Sequence, residues 1–188
     1  MNFAAIRFLD RILTNEMRVF EYGSGGSSLF FSHRVREVVS VEHDGAWANR
    51  VQEVVRQKRL TNVKILLISP DADRGAAERD PADPEGYVSS DDRFRAYSFR
   101  HYAASIESFA AGFFQVIVID GRSRPSCFKH ALPKVAVGGW LILDNAERLE
   151  YQCIHRALKA KDWEKFEFSG PGPHTPIFWQ TCFWRRIV

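Results

Sequence analysis

The sequence has few sulfur-containing residues: its 188 residues include three cysteines and two methionines. Cys127, Cys153 and Cys182 are an odd number without the spacing of a zinc site, and each lies among apolar residues. A reduced thiol in the core is the commonest state of a cysteine in such surroundings. The cysteines therefore give no sign of a zinc cluster, and we expect a reducing, cytoplasmic location.

The first 16 residues lack a continuous hydrophobic run. Arg7, Asp10 and Arg11 interrupt their apolar pattern, which excludes both a secretory signal core and a membrane span in this segment. The apolar residues recur at helical spacing, so we expect an amphipathic helix that docks on the rest of the chain. We expect no membrane partner.

Charge of one sign is not concentrated anywhere in the chain. Lys and Arg total 26 against 23 Asp and Glu, which gives a net charge of +3 without a basic run. We therefore expect no nucleic-acid partner. With 45% hydrophobic residues, the chain is long enough for one well-buried core and too short for two ordinary catalytic domains. We expect a single domain over residues 1–188.

Short apolar segments alternate with helical patterns. The strand-like segments are 19–22, 38–41, 63–68, 115–119 and 140–143, and the helical patterns are 29–35, 46–58, 101–109, 126–137 and 150–161. Strands this short and continuously apolar are typical of a parallel sheet covered by helices on both faces. Residues 165–184 read as two strands joined by a turn. The sequence predicts an α/β fold: a three-layer, doubly wound, mostly parallel seven-stranded sheet with a C-terminal antiparallel hairpin.

Two local details of this pattern are specific predictions. Gly138 and Gly139 predict a turn before the fifth strand. In the helix at 46–58, the side chains expected to face the core are Trp47, Val51, Val54 and Val55.

The composition changes abruptly between residues 69 and 100. Proline, glycine and charged residues replace most of the aliphatic ones in this stretch. A connection of this length in a compact domain is more often a binding loop or a disordered excursion than a plain linker. We expect a lid or insertion loop here, which either closes over a substrate or docks another subunit, as in a homodimer.

A glycine-rich loop follows the first strand, in the stretch VFEYGSGGSS. Glu21, Gly23, Ser24, Gly25 and Gly26 lie where a buried strand leads into a helix. Glycines there leave room for a ligand close to the backbone, and the first N–H groups of the helix have no partners within the helix. The pattern therefore predicts a small-cofactor site, while a tight turn that needs glycine only for its geometry is the competing explanation.

Two acidic residues favour the cofactor site over the plain turn. Glu42 ends the second strand, 19 residues after Gly23, where a carboxylate can accept hydrogen bonds from both hydroxyls of an adenosine ribose. His43 follows it and is included in the predicted site. Glu21 is a carboxylate in an apolar strand end, which is costly to bury without a partner such as an ammonium group or N–H donors.

The stretch from Glu21 to Ser27 resembles the first motif of the class I S-adenosylmethionine-dependent methyltransferases, in which an acidic residue precedes a glycine-rich loop by two positions. The resemblance extends over nearly the whole chain and implies that the loop holds the methionine part of S-adenosylmethionine and that Glu42 binds the ribose. The sequence departs from the motif at Ser27, where the family has a third glycine. A dinucleotide fingerprint fits less well, since it requires glycine at Ser28. An aminopropyltransferase on the same fold stays open.

The ends of the fourth and fifth strands are polar, in VIVIDGRSR and WLILDNAER. Ligands of open parallel sheets lie beyond such ends, so we expect Asp120 and Asp144 to face the acceptor, with Asp120 also close to the cofactor. Arg122 and Arg124 can clamp a carboxylate or phosphate of the substrate, although solvated loop arginines are commoner. The residues expected to bind substrate are Arg122, Arg124, Asn145 and His174.

Asp120, Asp144 and Asn145 also resemble the metal-binding trio of catechol-type O-methyltransferases, which implies Mg²⁺ as a further cofactor. Helix capping by Asp144 and Asn145, and a cofactor or amide contact by Asp120, remain alternatives.

The resemblance implies methyl transfer to a small molecule. The amino-methylating DNA enzymes of this fold carry Asn or Asp, two prolines and an aromatic residue after the fourth strand, whereas this chain has DGRS. We therefore expect an oxygen acceptor. The alternative is a non-catalytic module or partner subunit that binds S-adenosylmethionine or a nucleotide without turnover.

Overall fold

The computed structural model describes residues 1–158, 161–173 and 175–188. The strands are β1 (Arg18–Tyr22), β2 (Glu37–Glu42), β3 (Val63–Leu67), β4 (Asp71–Ala72), β5 (Tyr97–Ser98), β6 (Phe114–Ile119), β7 (Val135–Asp144), β8 (Trp163–Gly172) and β9 (Thr175–Arg186). The α-helices are α1 (Phe3–Ile12), α2 (Gly26–Ser32), α3 (Gly45–Gln57), α4 (Arg100–Ala104), α5 (Arg124–Ala131) and α6 (Gln152–Ala157). Short 3-10 helices cover Arg74–Glu78, Asp92–Phe94, Ser105–Ser108, Leu132–Lys134 and Leu149–Tyr151.

Seven strands form one sheet in the order β3-β2-β1-β6-β7-β9-β8. The pairs from β3 to β7 are parallel, and β9 pairs antiparallel with both β7 and β8. The predicted seven-stranded sheet with its C-terminal hairpin is therefore confirmed. The chain runs from β1 outward to β3 and returns to add β6 on the other side of β1. This reversal places a crevice at the carboxyl ends of β1 and β6, where ligands of such sheets bind.

Each face of the sheet is covered by helices because strand residues alternate between the faces. Val19 of β1 packs with Leu9 of α1 and Phe31 of α2 on one face. Phe20, the next residue, packs on the other face with residues of α4, α5 and α6. Both clusters consist of side chains that are almost completely buried. Glu21 points to the same face as Val19, toward α2.

Several element boundaries differ from the sequence prediction, and two of the differences have a local cause in glycine or proline. Gly138 and Gly139 lie inside β7 rather than in a turn before it: Gly138 has φ +77°, and a Cβ on Gly139 would lie 2.8 Å from the Gln115 carbonyl oxygen. Glycine here permits a strand irregularity beside β6, where the register shifts. The helix predicted over 126–137 ends at Ala131, because Pro133 lacks the N–H that a longer helix requires.

Residues 69–100, the 69–100 segment below, are largely irregular, as predicted. They contain two short 3-10 helices and the two-residue strands β4 and β5, which pair with each other. The Tyr87 side chain anchors the segment: it is 2% exposed, and the Tyr87 amide donates a hydrogen bond to Ser126 Oγ of α5. None of the helices in the described ranges has the length and apolar character that a membrane crossing requires.

Candidate functional site

A cleft with a volume of about 720 Å³ lies at the carboxyl ends of β1, β2 and β6, where the strand order reverses. This size is typical of a small-molecule site. The lining residues are Met1, Gly23, Ser24, Gly25, Gly26, Ser27, Glu42, His43, Asp44, Trp47, Arg93, Phe94, Asp120, Gly121, Arg122, Arg124 and Pro173. We call it the main cleft. Most of the residues predicted to bind the cofactor therefore lie together.

The glycine loop forms one wall of the main cleft. Gly23 has φ +95°, which favours glycine, and a Cβ at this position would lie 3.2 Å from the Gly121 backbone. Two backbone segments thus approach closely at the reversal point. A Cβ on Gly26 would have no atom within 4 Å, so the absence of this side chain leaves open space beside the loop.

Glu21 lies beneath the loop and is not among the residues that line the cleft, so its contact with the cofactor stays a prediction. It is fully buried, and its carboxylate accepts hydrogen bonds from Ser27 (2.7 Å), Ser40 (2.5 Å) and Ser28. Ser28 Oγ also accepts a hydrogen bond from the Gly25 amide at 3.0 Å. The three hydroxyls take the place of the expected ammonium partner. Ser27 and Ser28, the departures from the glycine motifs, therefore fix the loop through Glu21.

Burial raises the pKa of the Glu21 carboxyl to about 7, although hydrogen bonds from Ser28, Ser40 and Ser27 oppose the shift. The charge of nearby Asp120 raises the pKa further. Glu21 therefore holds a proton in part of the population near neutral pH.

Glu42 ends β2 with its carboxylate at the cleft wall, and the residue is 3% exposed. One oxygen accepts hydrogen bonds from the amide and hydroxyl of Ser24, and the other accepts them from the amides of His43 and Asp44. Burial alone would raise the Glu42 pKa, but the His43 ring and the two amides outweigh it and lower the pKa to about 2. Glu42 is therefore a fixed anion beside the glycine loop.

His43 lies in the cleft wall above Glu42. Its Nδ1 is 2.7 Å from Glu42 Oε1, without the alignment of a hydrogen bond. The ring packs edge-on against Phe94 of the 69–100 segment at a centroid distance of 5.1 Å. This contact joins the segment to the strand end that carries Glu42.

Asp120 and Arg124 form an ion pair on the opposite wall. Arg124 Nη2 donates to Asp120 Oδ1 at 3.1 Å, and the Asp120 side chain is 35% exposed. Burial raises the Asp120 pKa, against the effect of Arg124. Arg124 is 7% exposed and also donates to the carbonyls of Gly121, Asp120 and Asp144. It is a buried structural arginine rather than a solvated loop residue or a free substrate clamp.

The three predicted metal ligands do not fit a Mg²⁺ ion. Asp144 is 4% exposed and accepts hydrogen bonds from Trp179 Nε1 at 3.0 Å and Thr181 Oγ1 at 2.5 Å. Its other oxygen lies 3.0 Å from the Met1 amino group. Asn145 Oδ1 faces Arg124 at 3.4 Å, so a guanidinium cation already lies among these oxygens. A second cation there would meet like charge.

The catalytic role of Asp144 and the substrate role of Asn145 stay predictions, and the positions of their side chains do not support them. Neither residue is among those that line the main cleft. Hydrogen bonds to the hairpin fix the Asp144 side chain, and Arg124 takes up the Asn145 amide oxygen. His174, the remaining predicted substrate residue, lies outside the described residues.

Arg122 lines the main cleft, and its predicted contact with the substrate stays a prediction. Its Nη1 lies 3.0 Å from Asp91 Oδ2, and its guanidinium packs over the Phe94 ring at 5.4 Å. Arg93 and Arg122 together hold the pKa of Asp91 well below its usual range. Arg122 therefore joins the loop after β6 to the 69–100 segment.

Trp47 lines the main cleft, whereas helical spacing predicted that its side chain faces the core. It is 44% exposed, and its Nε1 donates a hydrogen bond to the Ser24 carbonyl at 2.8 Å. Val54 is also only partly buried, whereas Val51 and Val55 face inward as predicted. The signal for Trp47 is its place in the first turn of α3, directly after the end of β2, where side chains face the ligand crevice.

The sequence gives no match to models of protein families and no significant match to curated proteins. The structure is similar to many solved structures. It matches an O-methyltransferase from Bacillus cereus in complex with SAH at a TM-score of 0.70 and 14% identity, covering 99% of this chain and 82% of that one. A second match is the O-methyltransferase TomG from Streptomyces achromogenes in complex with SAM (TM-score 0.68, 13% identity, 98% and 78% covered).

A third similar structure, SMU.1697c, is a putative methyltransferase from Streptococcus mutans in complex with SAH (TM-score 0.66, 10% identity, 97% and 96% covered). The chain has the fold of class I S-adenosylmethionine-dependent methyltransferases. Its glycine loop and acidic strand end lie at the reversal point of the sheet in this methyltransferase fold. Structural similarity at such low sequence identity shows the fold and leaves the ligand and reaction to be argued from the site.

Proposed function

We propose that the chain is an S-adenosylmethionine-dependent methyltransferase that acts on an oxygen atom of a small molecule. It works as a single domain, with the 69–100 segment as the lid of the main cleft. The observation that carries the proposal is the pairing of the open glycine loop with the ionised Glu42 in one cleft of about 720 Å³. The methyltransferase fold, with relatives that hold SAH or SAM, supports this choice of ligand.

The residues of the cleft fit this ligand. Gly26, where a Cβ would meet no atom within 4 Å, leaves room beside the backbone for the amino-acid end of the cofactor. Glu42 is an ionised acceptor suited to ribose hydroxyls. Its oxygens already accept four hydrogen bonds from the chain, so a ribose hydroxyl would replace the Ser24 hydroxyl, which can rotate away while the Ser24 amide stays. Trp47 and His43 supply ring faces beside this position.

When bound, S-adenosylmethionine supplies a methyl group that its sulfonium already activates. The chain must therefore align an acceptor oxygen and take up its proton. Asp120 is the carboxylate suited to the second task, since its side chain is partly exposed in the main cleft and its pKa is raised. Arg124 fixes its position through the 3.1 Å hydrogen bond.

An oxygen acceptor is favoured by two features. The loop after β6 reads DGRS and lacks the paired prolines expected of enzymes that methylate a nucleobase amine. A carboxylate of raised pKa is also a better base for a hydroxyl than an ordinary aspartate. Two of the similar structures are O-methyltransferases by name.

The first test is calorimetric titration of the purified protein with S-adenosylmethionine and, separately, with NAD. We expect the methyl donor to bind at micromolar concentration and NAD not to bind. A screen of hydroxylated small molecules then measures formation of S-adenosylhomocysteine (SAH), with Asp120→Asn as the matched variant. Binding of NAD alone, or of neither ligand, would contradict the proposal.

A non-catalytic cofactor-binding module is the alternative outcome of this screen. It predicts tight binding of S-adenosylmethionine with no acceptor that gives turnover. Loss of turnover in Asp120→Asn at unchanged cofactor affinity would separate an enzyme from such a module, because a binding module has no use for a base at this position.

A further inference from the structure

A second, smaller cleft adjoins the main cleft. It has a volume of about 80 Å³ and lies between the 69–100 segment, the loop after β6 and the chain that follows β7. We call it the basic cleft, after Arg122, Ser123, Arg124 and Arg148 in its wall. Gly121, Arg122 and Arg124 line both clefts, so a group bound in the basic cleft lies next to the main one.

The charges around the basic cleft are unequal. Three arginines line it, and Glu150 is the single acidic residue among the described lining residues. Arg124 is balanced by Asp120, and Arg122 by Asp91. Arg148 is exposed, and within the described ranges its side chain forms neither an ion pair nor a hydrogen bond. Among the described residues, Arg148 therefore lacks the close ion pair that Arg122 and Arg124 each have, and Glu150 is the acidic residue that shares the cleft with it.

The Ser123 hydroxyl is an independent indication that this cleft binds a ligand. The residue is 5% exposed, and its hydroxyl has no hydrogen-bond partner among the described residues. A buried hydroxyl without a partner is unfavourable, and native structures nearly always satisfy such groups. Ser123 lines the basic cleft, where an oxygen of a bound anion would accept its hydrogen bond.

We propose that the basic cleft binds a carboxylate or phosphate carried by the methyl acceptor, held by Arg148, Arg122 and the Ser123 hydroxyl. Guanidinium groups bind both anions through paired hydrogen bonds, and about 80 Å³ is enough room for either group. The assignment of the anion to the methyl acceptor rests on the proposed function, whereas the anion site itself does not.

The test is an NMR titration of the protein with inorganic phosphate and, separately, with acetate, each with and without saturating SAH. We expect saturable shifts of the Ser123 amide and the Arg148 side chain. Arg148→Gln should weaken the binding at least tenfold. Arg156→Gln removes the same charge from an exposed position on α6, outside both clefts, and should leave the affinity unchanged. The anion that binds more tightly identifies which of the two groups the acceptor carries.

Ser123→Ala separates ligand binding from a structural role. Because the hydroxyl has no partner among the described residues, its removal should not lower the free energy of unfolding, yet it should weaken anion binding several-fold. Absence of saturable shifts, or equal affinities of Arg148→Gln and Arg156→Gln, would overturn the proposal. If phosphate or acetate binds as expected but SAH does not bind, the methyltransferase proposal fails while the anion site stands.

Discussion

The amide and the hydroxyl of Ser24 donate to the same oxygen of Glu42, at 3.0 and 3.1 Å. This pair of hydrogen bonds links the glycine loop after β1 to the end of β2. It makes the shape of the loop depend on an ionised carboxylate at the neighbouring strand end. Beneath the same loop, Glu21 is held by three serine hydroxyls. Two acidic residues with opposite pKa shifts therefore support the loop.

Glu21 should make stability depend on pH. Its folded-state pKa of about 7 lies above the ordinary value of 4.5, so its contribution is fully present below pH 4.5 and is lost as the pH rises through 7. The loss amounts to about 3 kcal/mol. Glu21→Gln should remove this fall in the free energy of unfolding between pH 5 and 8. Denaturant unfolding at several pH values checks it, and parallel curves for the two proteins would contradict it.

Gly121 should not tolerate a side chain. A Cβ there would lie 2.0 Å from the Tyr102 hydroxyl, which has no hydrogen-bond partner in the described part of the chain. Gly121→Ala should lower the free energy of unfolding by about 1–3 kcal/mol, the usual cost of overpacking.

Tyr102→Phe should relieve part of the destabilisation of Gly121→Ala, because it removes the nearest obstructing atom. The backbone of Tyr22 and Gly23, at 3.0 and 3.1 Å, would still crowd the added Cβ. Gly26→Ala is the control, since its Cβ meets nothing within 4 Å. Additive effects of the two substitutions in a double-mutant cycle would show that the clash is not with the hydroxyl.

Arg124 should be important for stability. Its guanidinium is buried and donates to Asp120 and to three backbone carbonyls. Arg124→Gln leaves these acceptors unpaired and should lower the free energy of unfolding by about 3 kcal/mol. The exposed Arg156→Gln should have little effect, and denaturant unfolding compares the two variants. Similar stabilities would mean that the buried ion pair contributes nothing.

Because of the Arg124 guanidinium, we expect the rate of methyl transfer to be insensitive to chelation of metal ions. Activity after treatment with EDTA should equal activity with added Mg²⁺, because Arg124 already lies among the oxygens of Asp120 and Asn145. Restoration of lost activity by Mg²⁺ would show that the predicted metal trio is correct after all.

The local patterns of the sequence predicted the sheet and the glycine loop well. Buried strands such as β1 and β6 are short apolar runs, and the loop and Glu42 come directly after strand ends. The position of Arg124 was not predictable in this way. Its burial depends on hydrogen bonds to the carbonyls of Gly121, after β6, and Asp144, at the end of β7. The sequence around position 124 does not predict these contacts.

Trp47 is a second residue whose position the sequence pattern did not predict. Helical spacing places it with Val51 and Val55 on the apolar face of α3, yet it lies over Ser24 in the main cleft. A helix that begins at a ligand crevice presents its first turn to that crevice rather than to the core. Gly138 and Gly139 were misread for a similar reason, since they serve a strand irregularity beside β6 that only the assembled sheet reveals.

The measurement that tests the account most directly is the affinity for SAH of wild type, Glu42→Gln and Glu37→Gln, determined by calorimetry with unfolding curves recorded in parallel. Glu37 begins the same strand and is half exposed, so it is the matched control. We predict at least a tenfold loss of affinity for Glu42→Gln, about 1.4 kcal/mol, and no change for Glu37→Gln. Equal affinities of two folded variants would contradict the claim that the methyl donor lies beside Glu42.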